Sequence, residues 1–338
     1  MAITSEEKKA AGGTPAGAPG PATPWTQIPL EHRREEDERS LYHRIRSRFV
    51  RLAPKPIVRA LARPYIAGER RQDALSMARR LNEEKGLHST VDVLGEAIAE
   101  PAEAKTMLDE YLALLDDIGK SACTSISIKL SALGQGLDDR LCLQNVETLL
   151  KRAAQYDQFV RFDMEDHPTV DSTLAFYREF VPRFPKIGIV LQSRLFRTPE
   201  DVKRLASLRP NVRLCIGIYR EKPEIAYQDK PTMKRRMIEL LGAMWDNGQT
   251  VALATHDERV IREAMALAQA KRKGPESFEV EMLLGVPRTA IQQELIRMGL
   301  TVRLYVPYGS HWYQYCLRRL EHNPEMASLV LKNLLRIG

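Results

Sequence analysis

A short apolar strand followed by an amphipathic helix recurs along most of this chain, and this repeat constrains the fold more than any other feature. Eight strands are predicted, and their near-continuous Val, Ile and Leu content is typical of a parallel sheet that helices cover. The strands span 90–95, 125–131, 159–165, 187–193, 212–218, 250–256, 278–284 and 302–308. Eight such units are the number that closes into a barrel.

A doubly wound open sheet is the alternative arrangement for the same repeat. The barrel is favoured because no Gly-x-Gly-x-x-Gly turn follows the first strand. The predicted fold class is therefore α/β, a (β/α)8 TIM-type barrel with an N-terminal helical arm. We expect a disordered tail at 1–25, rich in Ala, Gly, Pro and Thr, then the helical arm at 26–86 and the barrel at 87–338.

Positive charge is concentrated in the N-terminal arm. The formal net charge is +7, and arginines and lysines interleave with apolar residues between 32 and 80. This pattern is typical of a basic amphipathic helix on an anionic membrane, and equally of a solvated helix face on a small cap. No apolar run approaches the roughly 20 residues that cross a bilayer. No secretion signal is found either, so we expect a cytoplasmic protein, with peripheral contact to the inner face of the membrane left open.

The sequence predicts no metal site and no disulfide framework. The four cysteines, Cys123, Cys142, Cys215 and Cys316, are scattered without a metal-binding spacing. Neither His-x-His nor His-Glu-x-x-His occurs, and no Gly-x-Ser-x-Gly nucleophile turn is present. Metal-assisted and serine-nucleophile hydrolysis are therefore not indicated.

Polar residues occupy strand positions that an ordinary barrel fills with branched apolar side chains. Successive side chains of a strand alternate between the helix-facing and the inward side. In the second strand, for example, Ile126 and Ile128 face the helices. The inward set includes Lys129, Asp163, Gln192, Arg213, His256, Glu281 and Tyr305. This set indicates either an ion network that satisfies itself across the barrel or a site at the carboxyl-terminal mouth, and the site is favoured.

Other function classes also fit parts of the pattern. Asp163 and Glu281 could flank a sugar as a glycosidase pair, although Lys129, Arg213 and His256 suit an anionic cofactor or substrate better. A degenerate barrel that binds nucleic acid or membrane through the basic arm is a third hypothesis.

A tyrosine and two arginines follow the last strand at helical spacing. Tyr315 precedes Arg318 and Arg319 by three and four residues, so the three side chains can converge on one side of a helix. Paired guanidiniums bind a carboxylate bidentately, although an Arg-Arg pair on a helix is also typical of a solvated face.

Short motifs in a fixed order carry a resemblance to a known family. The motifs are Ile126-Ser127-Ile128-Lys129-Leu130-Ser131, Arg161-Phe162-Asp163-Met164-Glu165, Val190-Leu191-Gln192-Ser193, Val212-Arg213-Leu214, Gly217-Ile218-Tyr219-Arg220-Glu221, Ala254-Thr255-His256-Asp257, Tyr305-Val306-Pro307-Tyr308-Gly309 and Tyr315-Cys316-Leu317-Arg318-Arg319. Together they resemble the proline dehydrogenase family, including the proline dehydrogenase domain of the bifunctional PutA flavoproteins. The resemblance covers about 60–338.

The resemblance implies a cofactor, a substrate and roles for individual residues. FAD is the implied cofactor, bound by Asp163, Gln192, Arg213, Gly217, Lys230, Thr255 and His256. L-Proline is the implied substrate, bound by Lys129, Leu283, Tyr305, Tyr315, Arg318 and Arg319. The implied catalytic residues are Lys129, Asp163, Arg213 and Tyr305. Electrons are expected to pass to a membrane quinone. A pyrroline-5-carboxylate dehydrogenase is a candidate partner, and nucleic acid is not.

Three positions depart from the family pattern. Ile216 and Ile218 stand where the family commonly has Lys and Ala, and His322 stands where it often has Glu. A branched residue beside the substrate leaves a proline analogue as an alternative substrate. Tyr305, in place of a smaller residue, favours proline over hydroxyproline by the same analogy.

Overall fold

Eight parallel strands form a closed barrel in chain order, with the last strand paired to the first. The computed structural model of the protein describes residues 58–59, 63–95, 98–313 and 315–316. The strands are β1 His88–Val93, β2 Thr124–Ile128, β3 Val160–Phe162, β4 Ile187–Gln192, β5 Asn211–Cys215, β6 Thr250–Ala254, β7 Phe278–Leu283 and β8 Val302–Tyr308. The predicted (β/α)8 class is confirmed, and the open sheet is excluded because β1 pairs with β8 from His88 to Val93.

Eight α-helices lie within the described ranges. They are α1 Arg71–Lys85, α2 Pro101–Ile118, α3 Asp139–Gln155, α4 Val170–Phe180, α5 Thr198–Leu205, α6 Lys230–Asp246, α7 Glu258–Ala270 and α8 Thr289–Arg297. α1 precedes β1, and each of the others follows one strand of the barrel in turn. None of the described helices is long and apolar enough to cross a bilayer.

Local sequence explains where several helices begin and end. The Asp138 carboxylate accepts a hydrogen bond from the Leu141 amide at the start of α3, and Asp229 does the same for Thr232 at the start of α6. These caps satisfy amides that lack a partner within the helix. α1 ends at Gly86, whose φ of 66° is a conformation that glycine adopts easily.

The hydrophobic core lies between the outer face of the barrel and the helices. Ile126 and Ile128 of β2 and Val160 and Phe162 of β3 are fully buried there. Burial of one such side chain contributes about 1.5–3 kcal/mol. One face of α1 also joins this core through Ala74, Ala78 and Leu81. The division into tail, arm and barrel at 25 and 86 stays a prediction, because 1–57 and 60–62 lie outside the described residues.

Three strands end three residues earlier than predicted, each at the carboxyl-terminal mouth of the barrel. β2 ends at Ile128 and a 3₁₀ turn, Leu130–Leu133, follows; β3 ends at Phe162, and β5 ends at Cys215. The chain leaves the sheet here, although the Asp163 amide still donates to the Ile128 carbonyl at 2.9 Å. Lys129 and Asp163 are therefore placed immediately after their strands, at the rim of the barrel.

Candidate active site

The four residues predicted to be catalytic meet at the mouth of the barrel. Tyr305 of β8 donates its hydroxyl to Asp163 at 2.7 Å, and Arg213 of β5 donates to the other oxygen of Asp163 at 2.7 Å. The Lys129 ammonium lies 3.4 Å from the Tyr305 oxygen and 3.9 Å from the Asp163 carboxylate. Residues that are distant in sequence thus form one hydrogen-bonded cluster.

Asp92 belongs to this cluster, although the sequence analysis missed it. It lies in β1, its side chain is fully buried, and its Oδ1 atom is 2.7 Å from the Lys129 Nζ atom. Burial raises the pKa of Asp92 to about 6, against the opposing effect of the Lys129 charge. A charged residue within the apolar run Val91-Asp92-Val93 was the available signal.

Arg213 is held between two carboxylates. Besides Asp163, its guanidinium binds Glu281 of β7 and the Ser127 hydroxyl at 3.1 Å. Burial opposes the charge, but Glu281 and Asp163 raise the pKa of Arg213 above its usual value. Its Nη2 atom is buried and donates to no described residue. One donor of a fixed cation is thus left for another group.

Deeper in the barrel, further arginines and glutamates form ion pairs. Arg161 of β3 is 2% exposed, lies 3.6 Å from Glu281 and donates to the Asn211 side chain at 2.7 Å. Arg303 and Glu279 pair at 3.0 Å nearer the amino ends of the strands. These ion pairs match the network that was one of the two explanations for the polar interior, but the Arg161 Nε and Glu281 Oε1 atoms have no hydrogen-bond partner among the described residues.

The same arrangement argues against a glycosidase pair. Arg213 binds both Asp163 and Glu281, so a guanidinium occupies the space where a sugar would have to lie. Glu281 is 3% exposed and has Arg161 on its other side. A glycosidase needs two carboxylates that reach the substrate.

Gln192 and Gly217 form a fixed edge of the mouth. The Gln192 amide nitrogen donates to the Glu165 carbonyl at 2.8 Å, and the Glu165 carboxylate accepts from the Ser131 hydroxyl at 2.7 Å. The Gln192 Oε1 atom is buried and accepts no hydrogen bond from a described residue. Gly217 has a φ of 102°, and a Cβ there would overlap Gln192. This edge of the mouth therefore presents one hydrogen-bond acceptor, the Gln192 Oε1 atom, next to a backbone position where a side chain would overlap it.

The remaining predicted residues differ in how far the structure describes their contacts. The His256 Nε2 atom accepts from the Leu283 amide at 3.1 Å, and the Thr255 hydroxyl accepts from the Asp257 amide at 3.1 Å. Tyr315 is buried. Lys230 is exposed at the first residue of α6, and within the described ranges no hydrogen bond or ion pair links it to this cluster. Arg318, Arg319 and His322 lie outside the described residues.

Comparisons with known proteins agree on one family. The family model described as proline dehydrogenase matches residues 74–219 and 227–332. The chain is 35% identical to proline dehydrogenase 1 of Bacillus subtilis (strain 168) over 276 residues, which are 81% of this chain and 91% of the relative. It is also 35% identical to the proline dehydrogenase of Deinococcus radiodurans over 305 residues, covering 86% of this chain and 98% of the relative.

A solved structure shows the same fold. The chain aligns with proline utilization A (PutA) from Bdellovibrio bacteriovorus, inactivated by N-propargylglycine, with a TM-score of 0.71 and 24% identity. The alignment covers 78% of this chain and 33% of that chain, so this protein spans about a third of the PutA chain.

Proposed function

The chain belongs to the proline dehydrogenase family, and we propose that it oxidises L-proline to 1-pyrroline-5-carboxylate with FAD and passes the electrons to a membrane quinone. The observation that carries the proposal is the mouth cluster, in which Arg213 and Gln192 each keep one buried polar atom without a partner among the described residues. Buried polar groups are normally satisfied, so this pair indicates a bound group with both an acceptor and a donor.

The ring edge of a flavin fits that requirement. It carries carbonyl oxygens and ring nitrogens for the Arg213 Nη2 donor, and an N–H for the Gln192 Oε1 acceptor. The absence of a side chain at Gly217 leaves room beside Gln192 for a flat group to approach the backbone. In the proposal, Thr255 and His256 make further contacts, and Lys230 lies near the phosphates.

The flavin, when bound, supplies the hydride acceptor. Arg213 places a permanent positive charge beside it, and this charge is fixed by Asp163 and Glu281, so no reorganisation is needed as negative charge develops. Asp163 contributes by holding Arg213 and the Tyr305 hydroxyl at 2.7 Å each.

The substrate is positioned by the opposite wall. Tyr305 and Tyr315 flank the proline ring, Leu283 packs on it, and Lys129 completes the polar side. Arg318 and Arg319 bind the carboxylate bidentately. Clamping one end of a small rigid ring holds the reacting carbon close to its acceptor, and positioning of this kind contributes several kcal/mol to catalysis.

A proline analogue is the second candidate substrate. Ile218 is half-buried directly after Gly217, beside the edge that the flavin would use. A branched side chain at that point narrows the space for substrate and favours a ring of proline's size or smaller.

The proposal extends to partners and location. A quinone in the membrane accepts the electrons, and the basic segment at 32–80, most of which lies outside the described residues, carries the charge to approach an anionic inner leaflet. A pyrroline-5-carboxylate dehydrogenase consumes the product; related chains named bifunctional protein PutA match this chain over 24% of their length.

An anaerobic absorbance spectrum before and after addition of L-proline tests the proposal. We expect purified protein with a flavin spectrum that bleaches with proline and recovers with a soluble quinone analogue. A flavin that stays oxidised with proline but bleaches with an analogue would show that the analogue is the substrate. Ile218 would then be the first residue to test as the cause of the change. Colourless protein that binds no added FAD would overturn the proposal.

A further inference from the structure

Asp92 is a buried carboxylate that the roles assigned above do not use. It is the fifth residue of β1, it is fully buried, and its Oδ1 atom meets the Lys129 ammonium at 2.7 Å. Its Oδ2 atom accepts no hydrogen bond within the described ranges. A fully buried carboxylate with one oxygen unpartnered among the described residues lowers the stability of the folded state. Stability alone therefore does not account for it.

Lys129 lies between Asp92 and the other carboxylate of the mouth. On one side its Nζ atom is 2.7 Å from Asp92, and on the other it is 3.9 Å from Asp163 and 3.4 Å from the Tyr305 hydroxyl. The Lys129 side chain is 11% exposed, so it faces the mouth from its edge. The shorter contact draws the ammonium towards β1 and away from Asp163.

Both oxygens of Asp163 already accept a hydrogen bond from another residue of the mouth. Its Oδ1 atom accepts from Arg213 and its Oδ2 atom accepts from Tyr305, each at 2.7 Å. Without Asp92, the lysine would be drawn towards the Oδ2 atom that Tyr305 binds, because Asp163 is the other carboxylate paired with Lys129 among the described residues. The Tyr305 hydroxyl and Arg213 would both lose the geometry that Asp163 gives them.

Among the described residues, the titratable groups that face Asp92 come from four elements. They are Lys129 after β2, Asp163 after β3, Tyr305 and Tyr308 of β8, and Tyr111 of α2. Lys129 is the cation among them that contacts Asp92 directly. Burial of Asp92 raises its pKa, which is the behaviour of a group retained at a cost in stability.

We propose that Asp92 is a positioning residue for Lys129: it keeps the lysine charged and drawn away from Asp163, so that substrate meets a cation whose place is already set. This inference rests on the proposed function, since it takes Lys129 to be part of the substrate wall. It adds to that function a carboxylate that contacts Lys129 and has no assigned contact with substrate.

The first test compares Asp92→Asn with a matched control in the full-length, FAD-loaded protein. Glu279→Gln also removes a buried carboxylate paired with a cation, but near the amino ends of the strands. We expect Asp92→Asn to keep its flavin and to lose about 10- to 100-fold in kcat/KM for L-proline, the usual scale for a residue that orients a functional group. Glu279→Gln should keep kcat/KM within about twofold.

A double-mutant cycle separates positioning from an independent effect. If Asp92 acts through Lys129, the double variant Asp92→Asn/Lys129→Met should be no slower than Lys129→Met alone. Wild-type kcat/KM in Asp92→Asn, or losses that multiply in the double variant, would overturn the inference. Should asparagine prevent folding, Asp92→Ser enters the same cycle.

A chemical readout makes the test independent of proline oxidation. Acetylation of Lys129 by acetic anhydride, followed by peptide mass spectrometry across a pH series, reports how readily the ammonium loses its proton. We expect Asp92→Asn to raise the rate at pH 8 about tenfold or more, since a buried ammonium that has lost the carboxylate 2.7 Å away deprotonates more easily. An unchanged rate overturns the inference. Failure of wild-type protein to oxidise proline, with a raised rate in the variant, counts against the proposed function alone.

Discussion

Gly217 approaches Gln192 so closely that a Cβ at residue 217 would overlap the Gln192 Oε1 atom. The amide of Gln192 cannot retreat easily, because its nitrogen is bonded to the Glu165 carbonyl and Glu165 is bonded to Ser131. Segments that follow β2, β3 and β5 therefore fix one side chain at the end of β4. Sites held in this way on rigid elements keep their geometry before a ligand arrives.

Substitution of Gly217 should lower the affinity for flavin by more than the accompanying loss of fold stability can explain. Gly217→Ala combines a left-handed backbone with the overlap on Gln192, so we expect the affinity for FAD to fall about tenfold or more, about 1.4 kcal/mol. Gly248→Ala is the control: its φ is 68°, but no atom lies within 4 Å of the added Cβ. It should cost about 1–2 kcal/mol of unfolding free energy and leave flavin affinity unchanged. Equal flavin affinities, measured by titration of the apoproteins, would contradict the prediction.

Removal of the cation between two carboxylates should be strongly destabilising. Arg213→Met leaves Asp163 and Glu281 without their shared partner, and we expect the unfolding free energy of the FAD-free protein to fall by about 3–5 kcal/mol. Arg262→Met breaks an exposed pair with Glu294, which solvent screens, and should leave the unfolding free energy nearly unchanged. Urea denaturation of both variants checks this, and similar losses would show that the buried pair is not the source of stability.

The Tyr305 hydroxyl should matter where a second buried hydroxyl does not. Tyr305→Phe removes a hydrogen bond to Asp163, so we expect a loss of about 1.5–3 kcal/mol in stability and a higher KM for proline with FAD retained. The Tyr177 hydroxyl is buried without a partner among the described residues, so Tyr177→Phe should be neutral or stabilising. The two variants are compared by steady-state kinetics and thermal unfolding. A KM unchanged in Tyr305→Phe would remove Tyr305 from the substrate wall.

Two buried carboxylates should give opposite pH dependences of stability. Burial raises the pKa of Asp92 from its ordinary 3.8 to about 6, so between these pH values the folded protein holds a proton that the unfolded chain releases. The stability that this group contributes therefore falls as pH rises through that window. Burial would also raise the pKa of Glu279, but the Arg303 charge outweighs it and lowers this pKa below 4.5. The stability that Glu279 contributes is therefore lost as pH falls.

Urea denaturation of FAD-free variants between pH 4 and pH 7 measures this difference. Relative to wild type, Asp92→Asn should become more stable as pH rises, and Glu279→Gln should become less stable. Parallel curves for the two variants would show that the carboxylates titrate alike.

The sequence was sufficient for the number, order and faces of the strands, because the two-residue period of a buried parallel strand persists along each one. It was insufficient at the mouth. Asp163, Met164 and Glu165 continue the alternation after β3 has ended, so the pattern extends the strand by three residues that the sheet does not contain. Strand ends depend on where neighbouring chains diverge, which one segment does not encode.

The sequence predicted which residues form the candidate site better than it predicted how deep in the barrel each of them lies. Lys129, Asp163, Arg213 and Tyr305 follow from polar residues at inward positions, and the structure brings them together. The sequence analysis missed Asp92 because its partner, Lys129, is 37 residues away and the two residues meet only in the folded barrel. Arg161 shares the inward parity, but nothing in the sequence indicates that it lies a layer deeper, against Glu281.

The pairing of β1 with β8 also has a consequence for synthesis on the ribosome. In the closed barrel, His88 of β1 pairs with Arg303 of β8, and Thr90 pairs with Tyr305. During synthesis, this edge of β1 therefore remains unpaired until β8 has been made. Contacts between such distant residues form slowly because long loops must close first. A nascent chain halted before residue 302 exposes the edges of β1 and β7 and carries Lys129 and Asp163 without Tyr305. Unpaired strand edges are prone to aggregation, so the arrival of β8 both completes the site and removes this hazard.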